Sequence, residues 1–567
     1  MTDKMKITIT AGSGCQLSAT ELDSLPTLKT FTITEGMIRR AGECMKIHFR
    51  QPILDIQGFW NSDHYRPQML IPWNIRLDSA AQRQMPFLCF FNLEGINRAA
   101  FSLSDVTDDA SLVSKLSQSD SEFELVWSIH LSPETPAFDF IADCRPVPFP
   151  EAVAAFRQRL VPENPVFPES AWNPVYCSWY AYHAAFTIPE LERNAELAKE
   201  LGFGTFILDD GWCYDTSKRQ NVKTVPDWFS DVGDWVLSEK KLPDFKSHVK
   251  RVQSMGLRYL LWTAPYLVGN RSKLYEQLKN ENAILWESDD GSAAADPAHP
   301  LILNYAVRRI LDVFEKYGLD GLKVDFLDYV LPSLSTSRGR ECLKTIQTMV
   351  HEIRRIRPDA LIEFRQHYTT PGMLPYATNF RANDVPFDYL ENLHRCCQIR
   401  MILGDGVPVH ADPICFHPEE SCVNVARHLI AALAGVPMIS ADLTKIQPRH
   451  LAIIRRFLHF YLEHAETFRN GHWTVRYSFG HVASLSVETE WEMIITAVSE
   501  IPPLSEGKNI ILMNLAPHAF PVGSGAAVDC EGNPSEDLPS GGMFFIKSKQ
   551  FEMNKIEKNE AGISFFR

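Results

Sequence analysis

Two hydrophobic periods divide the chain. Over roughly the first 165 residues, apolar and polar positions alternate in short runs, as in Phe31-Thr32-Ile33-Thr34, Met69-Leu70-Ile71-Pro72-Trp73 and Phe123-Glu124-Leu125-Val126-Trp127-Ser128-Ile129-His130. A period of two puts successive side chains on opposite faces of a strand, so this region predicts a β-sandwich. Arg145-Pro146-Val147-Pro148-Phe149-Pro150 precedes a short helical stretch to Leu160, and Pro162, Pro165 and Pro168 mark a linker.

From about residue 170, short apolar runs alternate with segments of helical period. The expected strands are Val175 to Ala181, Thr205 to Asp210, Arg258 to Pro265, Gly321 to Phe326, Leu361 to Tyr368, Ala377 to Asp384, Val407 to Ile414 and Val436 to Leu443. Helical patterns fill the gaps, among them Pro189 to Leu201, Asn304 to Tyr317, Glu341 to Ile356 and Ser421 to Ala434. Eight βα units predict an α/β fold of the (β/α)8 TIM-barrel type. A last helix is expected from Pro448 to Phe468, after which His481 to Val487 and Asn509 to Leu515 alternate between turns and suggest a C-terminal β-sandwich. The expected domains are therefore 1–165, 166–468 and 469–567.

Composition narrows the function. A chain of 567 residues is too long for one core, and 45% hydrophobic with 22% charged residues is ordinary for a folded globular protein. Lysine plus arginine (56) against aspartate plus glutamate (70) leaves a net charge of −14, which disfavours nucleic acid and suits a neutral small substrate. The segment Met1 to Thr10 lacks the apolar core of a secretory signal, and no apolar run reaches the length of a membrane span. A cytoplasmic location without membrane contact is the expectation; assembly into a homo-oligomer is left open. The twelve cysteines show no CxxC spacing and read as reduced, packed thiols.

The polar residues of the barrel strands gather at their C-terminal ends, where barrels of this type carry active sites. In Gly321-Leu322-Lys323-Val324-Asp325-Phe326, Lys323 and Asp325 stand two apart and face together. Their pairing is either a structural ion pair or a nucleophilic carboxylate kept ionised by an ammonium. Asp384 is the second candidate carboxylate. It is either the cap of a helix opened by Pro386 or a general acid whose pKa is expected to be raised by the charge of Asp325. Asp209 and Asp210 follow the strand Phe206-Ile207-Leu208 and can accept hydrogen bonds from two sugar hydroxyls. Trp179 and Trp262 are expected at strand ends, stacked on a sugar or filling the core, while Arg365 and Arg381 either bind substrate or hold carboxylates. The run His410-Ala411-Asp412 fits no zinc spacing and reads as packing and loop hydrogen bonds; no metal or cofactor is expected.

At these motifs the chain resembles the α-galactosidases of glycoside hydrolase family 36, within the clan that also holds family 27. The resemblance rests on Ser178-Trp179-Tyr180, Phe206 to Trp212, Gly233-Asp234-Trp235, Gly256 to Trp262, Gly318 to Phe326 and the Asp384 region, in family order across about 170 to 390. It implies Asp325 as nucleophile and Asp384 as general acid/base, with Asp209 and Asp210 reading galactose hydroxyls, and Trp179, Lys323 and Arg381 at sugar-contacting positions. The implied activity is retaining, exo-acting removal of terminal α-galactose from an α-linked oligosaccharide or glycoside. N-acetylgalactosamine cleavage, galactosyl transfer and catalytically silent carbohydrate binding are the alternatives. The chain departs from the family pattern in three places: its N-terminal region is shorter, Glu363-Phe364-Arg365-Gln366-His367 replaces a glycine-rich, cysteine-containing stretch, and the Arg381 to Asp384 gap is one residue short.

Overall fold

The computed structural model describes residues 4–23, 27–160, 167–522 and 526–546. The linker prolines Pro162 and Pro165, the boundary expected at 165/166 and the chain beyond 546 lie outside the described residues.

Among the described residues, eleven strands before residue 144 form a six-stranded and a five-stranded antiparallel sheet. The strand Glu122–His130 shows how the sequence builds them: Phe123, Leu125, Trp127 and Ile129 are buried, while the residues between them stay at least partly open. This face packs against Phe90, Phe101 and Phe140 of the second sheet, with Phe90 stacked on Phe123 at 4.7 Å between ring centroids. The expectation of a strand over Met69–Trp73 is not met. That segment is irregular, Leu70 and Trp73 are 47% and 62% exposed, and the strand starts at Asn74. Pro72 lies within it and Pro67 just before it, and proline cannot donate to a ladder. The outer face of the five-stranded sheet, including Trp60, Phe91 and Ile141, packs on the helix Phe149–Leu160 and joins the core that runs into the barrel.

The barrel strands are β1 (Val175–Cys177), β2 (Thr205–Leu208), β3 (Arg258–Thr263), β4 (Gly321–Val324), β5 (Leu361–Arg365), β6 (Asn379–Arg381), β7 (Val409–His410) and β8 (Met438–Ile439). Each pairs in parallel with its neighbour, β8 pairs with β1, and a parallel bridge from His410 to Val436 leads from β7 toward β8. All eight expected strands are present but shorter, because pairing stops where the polar rim residues leave the sheet. At β4 the closeness of packing fixes a glycine: a Cβ on Gly321 would lie 2.2 Å from the Leu361 carbonyl oxygen.

The helices follow their sequence signals. Ile188–Leu201 begins with a Thr187/Glu190 capping box and ends at left-handed Gly202. The expected last helix divides at His464 into Pro448–Glu463 and Ala465–Asn470, and Arg308–Tyr317 is preceded by a wider π turn over Ile302–Val307. Beyond the last helix, seven strands among the described residues, between His472 and Ile546, form one sheet. One of its faces, with Leu485, Val487 and Ile494, joins the barrel core, while Ile495, Leu512 and Phe544 form a separate cluster on the other. Among the described residues no helix is long and apolar enough to cross a membrane.

Candidate active site

Lys323 is the third residue of β4, and Asp325 follows the strand's last residue, just before Phe326 turns into the left-handed region at φ 55°. Asp325 is buried. Its Oδ2 accepts the Trp262 indole N–H at 3.2 Å, its Oδ1 accepts the Phe326 backbone N–H at 2.9 Å, and Arg365 Nε lies 3.1 Å from Oδ1. Burial opposes ionisation of Asp325, but Arg365, then Lys323 and Arg381, outweigh it and hold the carboxyl below the usual range.

Lys323 faces the same way as Asp325, as their spacing requires, yet its closer partner is Asp209. Nζ lies 2.6 Å from Asp209 Oδ2 and 3.8 Å from Asp325 Oδ2. Burial works against the ammonium, and Asp209 more than restores it, so Lys323 sits above the usual lysine range. Asp209 also accepts from Cys177 Sγ, and its backbone N–H donates to Ser178 Oγ. Asp210 turns to a different partner, the Tyr214 hydroxyl at 2.9 Å, and burial pushes its carboxyl up to about 7.

Asp384 stands three residues past Arg381, the last residue of β6, with its side chain half exposed. The helix after it starts at Tyr389 and is capped by Asp388, whose side chain accepts the Glu391 N–H, so Asp384 is not a helix cap. Its Oδ1 takes a hydrogen bond from Arg381 Nη1 at 3.0 Å, and Arg365 Nη1 lies 3.5 Å from Oδ2. The expected upward shift of its pKa is reversed. Burial does push it up, but Arg381 and then Arg365 pull harder, leaving it below the usual range despite the repulsion from Asp325.

Both candidate carboxylates thus meet on one guanidinium. Arg365 reaches Asp325, Asp384 and, through Nη2 at 2.9 Å, Asp328, with its plane 4.5 Å over the Phe326 ring. Arg381, fully buried, lies behind: Nη1 donates to Asp412 Oδ1 at 2.6 Å, Nε is 3.5 Å from Glu363, and Nη2 is 3.9 Å from Asp325. The arginines therefore hold carboxylates. Asp412 and His410, which the sequence marks as packing, do pack into the barrel: Asp412 Oδ2 accepts the Val385 N–H, and His410 Nε2 lies 2.8 Å from the Ala171 carbonyl oxygen.

The tryptophans differ from expectation. Trp262 is within β3, but it is 1% exposed and aims its N–H at Asp325, so it positions that carboxylate and offers no open stacking face. Trp179 is not on a strand; it opens the short helix Trp179–Tyr182, half-buried, with its ring 4.9 Å from His183 and 5.8 Å from Trp228. Asp328, Glu363 and Tyr214 are residues of the site that sequence reasoning misses. Asp328, three residues after Asp325, carries the one readable signal, a further acid in the same strand-end loop. Among the described residues no group of three or more His, Cys, Asp and Glu is arranged to hold a metal ion.

The C-terminal rim of an eight-stranded parallel barrel, where barrels of this type carry their active sites, thus gathers two carboxylates, a lysine and two arginines. Residues 154–330 match the Melibiase family model. Alpha-galactosidase 1 of Pediococcus pentosaceus is 34% identical over 101 residues, which are 18% of this chain and 13% of that protein. Alpha-galactosidase Mel36A of Lactobacillus acidophilus is 32% identical over 156 residues, 27% of this chain and 20% of that one. Such matches span a fifth or less of these relatives' own length. The GH36 α-galactosidase AgaB of Geobacillus stearothermophilus shares the fold at TM-score 0.61 and 15% identity, covering 85% of this chain and 78% of that one. AgaA from the same organism, crystallised as a variant with raffinose, superposes at TM-score 0.59 and 15% identity with the same coverage. Residues 154–330 are thus similar to the Melibiase family, and the fold of most of the chain is that of GH36 α-galactosidase structures.

Proposed function

We propose that this protein is a retaining, exo-acting α-galactosidase that works by double displacement. Asp325 attacks the anomeric carbon while Asp384 protonates the leaving oxygen; Asp384 then activates water to hydrolyse the glycosyl-enzyme. The observation that carries this reading is the convergence of Asp325 and Asp384 on the Arg365 guanidinium, from two different strands. Raffinose and stachyose, bound by variants of the neighbour AgaA, are the substrate class to test first. Lys323 and Asp209 form the polar floor on which sugar hydroxyls would be read.

The arginines of the rim favour ionisation of both carboxylates, so Asp384 has to take up a proton as substrate displaces water and its arginine contacts loosen. Its half-exposed position gives that proton a path from solvent. Because kcat/KM reports the free enzyme, activity should fall as pH rises toward neutrality. A p-nitrophenyl α-galactoside assay with the anomer of the first product read by NMR tests the proposal: release of α-galactose supports it, and β-galactose overturns retention.

One observation favours a second reading. A barrel that binds galactosides without cleaving them could keep its acid permanently deprotonated between Arg381 and Arg365, where Asp384 lies. Galactose binding without turnover of any aryl α-galactoside between about pH 4 and pH 8 would select that reading.

A further inference from the structure

The loop that carries Asp384 is tied to the N-terminal sandwich by side chains that the barrel alone does not supply. Asn383, the residue before Asp384, donates through Nδ2 to the Tyr65 hydroxyl at 2.9 Å, and the same nitrogen lies 2.9 Å from His367 Nε2. Tyr65 Oη is in turn 3.0 Å from His367 Nε2, so the three polar atoms close a triangle. Tyr65 comes from the sandwich, His367 from the turn after β5 and Asn383 from the turn after β6. A guanidinium covers the other side: Arg395 lies 3.9 Å over the Tyr65 ring and donates Nη1 to the Asp384 carbonyl oxygen at 3.2 Å.

The anchor of this triangle is itself fixed. Gln398 donates to the carbonyl oxygens of Ser62 and His64, Gln84 donates its backbone N–H to the His367 carbonyl, and Gln366 bonds both Gln398 and the Asn383 N–H. Further along the same seam, Gln82 donates to the Val330 carbonyl beyond β4. The sandwich therefore grips the turns after β4, β5 and β6, and the last of these bears the half-exposed Asp384. A half-exposed acid on an irregular turn has no helix or strand to hold it, so its aim depends on such cross-links.

We propose that Tyr65 is a positioning residue for Asp384, acting through Asn383 and His367, so that the N-terminal sandwich sets the aim of the general acid. This rests on the galactosidase reading for its catalytic consequence, but not for its structural one. The Tyr65 hydroxyl is the atom that the sandwich places in the triangle. Losing it frees Asn383 to turn and lets the Asp384 turn sample other conformations. The leaving oxygen is then protonated less efficiently, which matters only when the leaving group is too basic to depart unaided.

Tyr65→Phe tests this, because it keeps the ring beneath Arg395 and removes the hydroxyl alone. Amide hydrogen exchange over residues 379–389 should quicken in the full-length variant. On methyl α-galactoside kcat/KM should fall by about tenfold or more, while on 2,4-dinitrophenyl α-galactoside it should change by less than about twofold. Unchanged exchange overturns the link between Tyr65 and the turn. Faster exchange with equal losses on both substrates overturns its role in aiming the acid. If the wild type cleaves neither substrate, the galactosidase reading falls, and the exchange measurement still decides whether Tyr65 orders the Asp384 turn.

Discussion

Two aspartate clusters in this molecule are penalised by desolvation and answer it in opposite ways. At the barrel rim Asp325 and Asp384 are held below the usual carboxylate range, since Arg365, Arg381 and Lys323 outweigh burial. At the seam between the sandwich and the loop after β4, the close cation to Asp105 and Asp108 is Arg340, 2.8 Å from Asp108 and 3.5 Å from Asp105, while Asp109 accepts backbone amides. There burial wins, and Asp105 and Asp109 are pushed up to about 7. Asp412 shows that proximity alone does not decide the matter. It lies 2.6 Å from Arg381, yet burial takes it up to about 8, because Arg381 also serves Asp384, Asp325 and Glu363. What sets the charge of a buried acid here is the number of cations per carboxylate, and the rim is where the chain concentrates them.

The largest effect that tests the rim is loss of Asp325, the proposed nucleophile. Asp325→Ala should cut turnover by on the order of 10⁴-fold or more, and azide with an activated substrate should restore it as a glycosyl azide. Activity near wild type would remove Asp325 from the chemistry. Asp384→Ala should cost about 10²- to 10⁴-fold on alkyl galactosides and much less on dinitrophenyl galactosides. Equal losses would mark Asp384 as a structural partner of the arginines.

The barrel is legible in sequence because parallel strands buried on both faces read as short apolar runs, and each stops at a polar residue. Phe206-Ile207-Leu208 followed by Asp209 is such a run, and Gly321 to Val324 followed by Asp325 is another. The same signal misleads at Met69–Trp73, where Pro72 within the run and Pro67 before it make an apolar run an exposed loop. At the site, sequence spacing puts Lys323 and Asp325 on one face but does not tell that Lys323 leans to Asp209, since that depends on where β2 ends beside β4. The charge of Asp384 escapes the sequence for a related reason. Its sequence neighbours reveal Arg381, but Arg365 comes from another strand, and only three-dimensional convergence counts both against one carboxylate. Tyr65 is invisible altogether, because nothing in a local pattern records a contact with Asn383 318 positions away.

Removing a single cation sharpens the contrast. Arg365→Gln leaves Asp325 and Asp384 with Lys323 and Arg381, so both carboxyls should rise from their depressed values. Both limbs of the kcat/KM profile, which the two carboxyls bound, should therefore move to higher pH. At its optimum the variant should lose about 10- to 100-fold through misplacement of both acids. An unmoved profile would show that Arg365 does not set the charge of the two carboxyls.

The smallest expected effect lies at the seam, and its sign is opposite to that of the rim. Asp109 accepts the backbone N–H groups of Ser333 and Gly339 at 2.9 and 2.8 Å, and its folded value of about 7 lies above the roughly 3.9 of an unfolded aspartate. A raised carboxyl stabilises the fold below the unfolded value, and that contribution is lost as pH rises through the folded one, here from about 4 to 7. Asp109→Asn resembles the protonated acid and does not titrate. Its Tm relative to wild type should therefore climb between about pH 4 and pH 7, by an amount worth at most a few kcal/mol, since the wild type loses about 1.36 kcal/mol for each pH unit between the two values. A difference that stays flat across that range would mean that Asp109 remains ionised in the fold, and that two backbone amides with Arg338 nearby balance its charge as effectively as three cations balance the rim.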